Sequence, residues 1–323
     1  MSGFRRGLER PFPETAAKVA RALDASLVIG VDVGGTKILA GAVARDGSIR
    51  SRHEVETPKR SQEDVLEALD ACVEAILDER VAAIGYGIPS NLDRATKVAL
   101  QATNLPLENL DLAEHARERF GIPVAIENDG NAAALAEWKL GAGRGTSNLV
   151  MLTLGTGVGG GLVLDGRLYR GWAELGHVVV QAGGPRCQGN CHGHGHLEVV
   201  ASGTAADRAA RELYGPDAHG NELIERARSD DERARAKLEE IGELLGAAIG
   251  SFVNEFDPEV VVVGGGFGRA AADLVLEPAL RAARREAISP ADETLRIVPA
   301  ALGADAGLVG AGLLAFDVLD ETS

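Results

Sequence analysis

The segment IENDGNAAALAEW places a carboxylate where a strand gives way to a helix. Asn128 and Asp129 end the strand, and an alanine-rich helix follows them. A carboxylate within hydrogen-bond reach of an alcohol can orient the hydroxyl and accept its proton while a P–O bond forms. Aspartate is also a frequent helix N-cap, a role that needs only an oxygen acceptor. These residues alone leave Asp129 evenly balanced between a general base and a cap for a helix beginning near Gly130.

The segment DVGGTK, residues 32–37, has the composition of a phosphate-binding turn. Asp32 stands at the end of a strand, and two glycines allow the backbone to approach a ligand closely. Thr36 and Lys37 supply hydrogen-bond donors for a phosphate. A Walker loop is excluded because a strand, rather than a helix, follows the turn. The segment is therefore either a phosphate turn or a plain hairpin.

Two further glycine clusters occur later in the chain. The first, GTGVGGG at residues 155–161, contains the GxGxxG spacing, but the strand LVL stands where a dinucleotide site needs a helix. That context disfavours an NAD-dependent oxidoreductase. The second, Gly264–Gly266, follows a buried strand and precedes a helix, where the backbone can pass against adenine or a phosphate. Close packing between strand and helix accounts for these glycines equally well.

The segment from Glu174 to Glu198 combines thiols, imidazoles and glycines in a short loop. Its ligands suffice for one tetrahedral zinc, and since no coordination position stays open, the zinc would be structural. The predicted ligands are His177, Cys187, Cys191 and His196. His192 or His194 could replace His196, and a metal-free flexible loop is the alternative. Glu174 and Glu198 could hold sugar hydroxyls by charge-assisted hydrogen bonds, or be solvated surface acids.

The elements that carry these residues follow a repeated order. From Leu27 the pattern predicts three strands, a helix capped by Ser61 and a fourth strand, with an Asp46-Gly47 hairpin turn after the second strand. A strand, a phosphate-sized turn and a strand recur near residues 149–164. Two such turns facing one cleft could clamp a triphosphate from two sides, as in actin-like ATPases. The sequence therefore predicts an α/β protein with mixed sheets.

Length and charge narrow the classes of function. A chain of 323 residues exceeds the usual size of one hydrophobic core, which favours two domains with a cleft between them. The formal net charge of -15 argues against nucleic acid and anionic membranes as partners. An anionic substrate would then need divalent cations and backbone amides. No signal peptide or membrane-spanning stretch is recognisable, so the expected compartment is the cytoplasm. Cys72 is expected to fill the core.

Several motifs together resemble one protein family. In chain order, DVGGTK, NLPLENLDL, ENDGNAAALAE, LGTGVGGG, ELGH, the Cys/His loop ending in HLE, SGTA and VVVGGGF resemble the ROK family of bacterial sugar kinases and repressors. The likeness runs from about Val28 to the last helix and is nearest the glucokinase branch. It implies a two-lobed, actin-like (ribonuclease H-like) α/β fold with mixed sheets and a zinc-binding loop at 177–198. The expected parts are an N-terminal extension (1–26), a smaller lobe (27–127, joined by the C-terminal helix 306–320) and a larger lobe (128–305).

The resemblance also implies an activity and its site. It implies ATP-dependent phosphorylation of a hexose at the 6-hydroxyl, most simply glucose, with Mg²⁺ and a structural Zn²⁺, in a homodimer or homotetramer. By the same resemblance Asp129 is the base, and the sugar-binding residues are Asn104, Asn128, Asp129, Glu174, His177 and Glu198. The implied nucleotide-binding residues are Asp32, Gly34, Gly35, Thr36, Lys37, Gly155, Thr156, Gly157, Gly264, Gly265 and Gly266.

Three departures from the family pattern bear on specificity. His196 stands at the place of the family's third cysteine, and imidazole is a normal zinc ligand. Trp172 occupies a position where small residues are usual, and Ser90 stands where glycine is common. The sequence does not separate glucose from N-acetylglucosamine, N-acetylmannosamine, mannose or fructose, nor ATP from polyphosphate. A non-catalytic sugar sensor also stays open, whereas a repressor is disfavoured because about 26 residues cannot hold a helix-turn-helix module.

Overall fold

The fold contains two five-stranded mixed sheets, in a computed structural model that describes residues 27–102 and 105–321. The first sheet has the strand order β3-β2-β1-β4-β8, the second β11-β10-β9-β12-β13, and a three-stranded sheet is formed by β5, β6 and β7. The strands are β1 Leu27–Val33, β2 Lys37–Ala44, β3 Ile49–Glu56, β4 Val81–Ile88, β5 Ser90–Leu92, β6 Ala99–Ala102, β7 Glu108–Leu110, β8 Val124–Asn128, β9 Leu149–Leu154, β10 Val158–Leu164, β11 Arg167–Leu168, β12 Val260–Gly264 and β13 Ile297–Pro299.

Eleven α-helices lie within the described residues. They are α1 Gln62–Glu74, α2 Leu112–Phe120, α3 Asp129–Lys139, α4 Leu197–Val200, α5 Gly203–Tyr214, α6 Gly220–Arg228, α7 Glu232–Phe256, α8 Gly265–Ala270, α9 Ala272–Glu286, α10 Ala291–Thr294 and α11 Ala306–Glu321. Short 3₁₀ turns occur at Leu175–His177 and Gly303–Asp305. Ser61 caps α1 through a hydrogen bond from the N–H of Asp64, as the sequence predicts. Among these described helices, none has the length and apolarity needed to span a bilayer.

The two five-stranded sheets share one connectivity. In each, the first three strands run antiparallel, and two later strands then pair parallel beside the first. The predicted repeat is therefore confirmed, and so is an α/β fold with mixed sheets. Each repeat opens with a hairpin: residues 34–36 join β1 to β2, and residues 155–157 join β9 to β10. The division into lobes at residue 127 stays a prediction, and the predicted extension 1–26 lies outside the described residues.

Helix α11 packs against both the first sheet and helix α3. Its apolar residues are mostly buried, and glycines let its backbone lie directly on the sheet. A β-carbon on Gly85 of β4 would overlap the carbonyl of Ala311 in α11, and one on Gly310 of α11 would overlap Ala132 in α3. Helix α3 in turn packs on β10 through Gly130 and the backbone of Gly160. The pair α3 and α11 thus lies between the two sheets and fixes the start of α3 relative to the first hairpin turn.

Candidate active site

Asp129 begins helix α3, at the point where β8 ends. The N-cap of this helix is Asn128, whose Oδ1 accepts hydrogen bonds from the N–H groups of Gly130 at 2.9 Å and Asn131 at 3.3 Å. Asp129 accepts one further bond from Gly130, at 2.9 Å. Because Asn128 supplies the capping oxygen, the helix does not depend on Asp129 for its cap. The balance left open by the sequence shifts toward a chemical role for Asp129.

The environment of Asp129 favours its protonated form more than water does. Burial raises the pKa of Asp129 from 3.8 to about 6; the Gly130 hydrogen bond lowers it, and the negative charge of Glu174 raises it. A carboxylate with a pKa of about 6 is still ionised at neutral pH, yet it is a stronger base than an exposed aspartate. It is therefore suited to accept the proton of an alcohol.

Asp32 shares this electrostatic environment. The pKa of Asp32 is raised from 3.8 to about 7, mainly by burial and then by the negative charge of Asp129, against a lowering by Lys37. The Asp32 carboxylate lies at the start of α11, where a β-carbon on Gly307 would come within 2.6 Å of it. Asp32 and Asp129 are thus two carboxylates at the carboxyl ends of β1 and β8. Such a pair is better accommodated when a divalent cation is present, and Mg²⁺ prefers carboxylate and phosphate oxygens.

The first hairpin turn is a narrow, glycine-dependent loop. Gly34 donates its N–H to the carbonyl of Lys37 at 2.9 Å, and a β-carbon on Gly34 would come within 2.9 Å of the same carbonyl oxygen. The hydroxyl of Thr57 donates to the carbonyl of Gly34 at 2.8 Å and braces the turn from β3. Thr36 and Lys37 are exposed, and Lys37 pairs with Glu54 at 2.7 Å. The turn is therefore preformed, with Thr36 and Lys37 on its exposed side.

The second hairpin turn is held by the start of α5. Gly203 donates to the carbonyl of Gly155 at 2.7 Å, and the hydroxyl of Thr204 donates to the carbonyl of Thr156 at 2.7 Å. On the other side, a β-carbon on Gly157 would overlap the carboxylate of Glu198. This turn consequently lies against Glu198, an acid for which the family resemblance predicts a contact with the sugar.

The glycines of the third cluster, Gly264–Gly266, differ in their surroundings. Gly265 has a φ of +81° and lies against the backbone of Leu154, so it is required by the close packing of α8 on β9. Gly264 is also closely packed, because a β-carbon added there would lie 3.0 Å from the side chain of Ala300. Gly266 faces open space, with nothing within 4 Å of such an atom. Packing explains Gly264 and Gly265, whereas Gly266 is open to a ligand.

The predicted metal ligands converge on one point. One ligand atom from each of four side chains lies within 4.8 Å of every other, and the four are His177, Cys187, Cys191 and His196. The Nδ1 atoms of the two histidines are 3.2 Å apart, and each sulfur lies 3.6 to 3.7 Å from one of them. Two thiols and two imidazoles match the donor set of a tetrahedral structural zinc site. His194 instead points to the carbonyl of Gly184 at 3.2 Å, so the geometry favours His196 as the fourth ligand.

A pocket next to Asp129 brings some of the predicted sugar-binding residues together. Asn128 and Glu174 line it, along with Ser90, Leu92 and Trp172. Desolvation raises the pKa of Glu174, the charge of His177 lowers it and that of Glu198 raises it, so this pocket residue interacts electrostatically with both. Asn104, the remaining predicted sugar contact, lies outside the described residues.

Glu127 also lines this pocket, and the sequence analysis did not identify it. Its Oε1 accepts from the N–H of Asn128 and from the amide of Asn131, both at 3.1 Å. Its Oε2 has no hydrogen bond but lies 3.5 Å from the ammonium of Lys97. Glu127 alternates with the apolar core residues of β8, a position that normally faces solvent, so the strand pattern gave no signal for it.

The chain is similar to known proteins over most of its length. The model of the ROK family matches residues 28–318. A glucokinase of Thermotoga maritima is 37% identical over 306 residues, which cover 88% of this chain and 95% of that protein. An N-acetylmannosamine kinase of Shigella flexneri is 34% identical over 297 residues, covering 89% and 98%.

A solved structure is also similar. The ROK family glucokinase of Streptomyces griseus, in complex with glucose and AMPPNP, superposes with a TM-score of 0.80 at 35% identity. The alignment covers 90% of this chain and 99% of that one. The similarity therefore spans both sheets and every site described above.

Proposed function

The chain belongs to the ROK family, and from this premise we propose that it is an ATP-dependent hexose kinase whose substrate is glucose. The observation that carries the proposal is the position of Asp129. Asn128 caps helix α3, so Asp129 is available as a base beside Asp32 and the first hairpin turn. The glucokinase relatives, at 33 to 37% identity, support glucose as the acceptor.

Each group of site residues has its own role in the proposed reaction. The 6-hydroxyl of the hexose donates a hydrogen bond to Asp129, which takes the proton as the oxygen attacks the γ-phosphorus; the bond from that phosphorus to the bridging oxygen of ATP breaks, and ADP leaves. The backbone and side chains of the two hairpin turns hold the phosphates. Glu174, His177 and Glu198 orient the sugar from the side of the metal cluster. Mg²⁺, when bound, would neutralise charge on the transferred phosphoryl group, and Asp32 is the residue placed to hold it.

The metal cluster has a structural part in this proposal. Zn²⁺ held by His177, Cys187, Cys191 and His196 would fix the loop that carries Glu198 next to the second hairpin turn. Thiolate ligands require reduced cysteines, which supports the cytoplasm as the compartment. A homodimer or homotetramer is part of the same proposal, and a sizing measurement tests it.

A coupled assay tests the activity. ADP release is measured with no sugar and then with glucose, mannose, fructose, N-acetylglucosamine or N-acetylmannosamine, using ATP or polyphosphate as donor. We expect glucose-dependent ADP release with ATP. Release without any sugar would indicate an ATPase, and no release with any sugar would indicate a sensor. Faster turnover of N-acetylmannosamine than of glucose would favour a second candidate function, an N-acetylmannosamine kinase. The relative from Shigella flexneri at 34% identity supports this candidate.

A further inference from the structure

The pocket beside Asp129 is narrow and partly open to solvent. Its walls come from β5, from the end of β8 and from residues 170–174, and they leave a cavity of only about 10 Å³. A cavity of roughly 10–15 Å³ is the least that holds a single water. This space is too small for a hexose ring, so we expect part of the wall to move when a hexose binds between these residues.

Three residues of the wall, Ser90, Glu127 and Asn128, are held firmly. Ser90 is buried and donates its hydroxyl to the carbonyl of Gln101 at 2.9 Å. Glu127 is buried and bonded to Asn128 and Asn131, and Asn128 is committed as the cap of α3. Displacing any of these would break buried hydrogen bonds or the helix cap. They are the fixed part of the pocket.

Three residues of this wall are exposed, Arg170, Trp172 and Glu174, and Trp172 is the large apolar one among them. Its side chain is large, yet 54% of the residue is exposed. Its indole N–H donates to the carbonyl of Leu92 at 2.9 Å, across the pocket from its own segment. It follows Gly171 and precedes Ala173, so its neighbours in the chain are small. An exposed side chain tied to the opposite wall by its indole N–H can be displaced at modest cost.

We propose that Trp172 is the side chain that yields when the hexose enters, and that the indole then limits which ring substituents fit. The inference rests on the proposed hexose kinase function and names the residue that sets its specificity. Glucokinases and an N-acetylmannosamine kinase resemble the chain to nearly the same degree, so overall similarity does not separate their substrates. A bulky indole on the rim excludes an acetamido group by steric conflict while leaving room for a hydroxyl.

Binding without turnover gives the first test. The chain has two tryptophans, and the other, Trp138, donates its indole N–H to the carbonyl of Thr146 within the fold. Titration with glucose in the absence of ATP should change the tryptophan emission of the wild type and of Trp138→Phe. The same titration should leave the emission of Trp172→Phe unchanged. An equal emission change in Trp172→Phe and the wild type would overturn the proposal.

Substrate preference gives the second test. For Trp172→Ala, the ratio of kcat/KM for N-acetylglucosamine or N-acetylmannosamine to that for glucose should rise at least roughly tenfold. Trp172→Phe keeps most of the volume but loses the N–H, so its ratio should stay close to the wild-type value. A uniform loss for all sugars in Trp172→Ala would show that the residue only anchors the loop, and the proposal would fail. The proposed function itself fails only if the wild type does not phosphorylate glucose.

Discussion

The carboxylate of Glu198 lies against the α-carbon of Gly157, in the space where any other residue would carry its β-carbon. Oε2 of Glu198 also accepts a hydrogen bond from the N–H of Val158 at 3.2 Å, and Oε1 lies 3.6 Å from Sγ of Cys187. One acid therefore connects the second hairpin turn, the predicted sugar site and the metal cluster. A structural change in this turn should therefore alter the binding of the sugar.

Gly157→Ala tests that connection. The new methyl group must displace the Glu198 carboxylate, so the KM for glucose should rise and the free energy of unfolding should fall by about 1–3 kcal/mol, as for other overpacked sites. Gly155→Ala is the matched control for stability, because a β-carbon there meets nothing within 4 Å. Its unfolding midpoint should equal that of the wild type. A wild-type KM and stability for Gly157→Ala would show that Glu198 is free to move.

The substitution Asp129→Asn distinguishes a role of Asp129 as general base from a role as helix cap. The amide keeps the shape but accepts no proton, so kcat should fall by roughly 10²–10⁴-fold. Stability at pH 8 should not fall, because Asn128 supplies the capping oxygen and the buried charge of Asp129 is removed. Both quantities are measurable, by steady-state kinetics and by denaturant unfolding. A folded variant with near wild-type kcat would contradict the assignment of Asp129 as base.

The pH dependence follows from the raised pKa of Asp129. Activity should fall as the pH drops through about 6, where this carboxylate takes up a proton. The folded state binds more protons than the unfolded state between pH 3.8 and about 6, so this residue's contribution to stability is lost as the pH rises through that window. The pH profile of kcat/KM measures the first effect, because it reports the pKa values of the free enzyme, and unfolding at several pH values measures the second.

Glu174→Gln provides the control for that profile. The charge of Glu174 raises the pKa of Asp129, so its removal should move the acid limb of the profile to lower pH. A limb that stays in place, or one that persists in the residual activity of Asp129→Asn, would assign the titration to another group. Asp32, with a pKa raised to about 7, is the first alternative.

Local patterns predicted much of this fold. The alternation and glycine turns of residues 27–88 specified the strands and the helix after Ser61, because these signals depend on neighbours in the chain. The cap of α3 could not be assigned in advance, since Asn128 and Asp129 are both good capping residues and only the backbone of β8 decides between them. Glu127 was missed because its burial depends on β5 and Lys97, which are distant in sequence.

The metal cluster was also predictable from a local pattern in the sequence. The last prediction concerns the loss of zinc when one of its cysteines is replaced. Four ligands within a span of 20 residues, His177 to His196, can meet in a short loop without knowledge of the rest of the fold. Cys187→Ser or Cys191→Ser should lower the zinc content from about one per chain toward zero, because a serine hydroxyl is a poor zinc ligand. The KM for glucose should rise in parallel, since the loop carries Glu198.

His192→Asn and His194→Asn are the matched controls for this loop. Both residues lie in it, but neither belongs to the cluster of four within the described part of the chain. Their zinc content, measured by elemental analysis of the purified protein, should match the wild type. Loss of zinc in His194→Asn with retention in His196→Asn would move the fourth ligand to His194. A wild-type protein that is free of zinc and fully active would remove the metal from the proposal, and the closeness of the four side chains would then reflect loop packing alone.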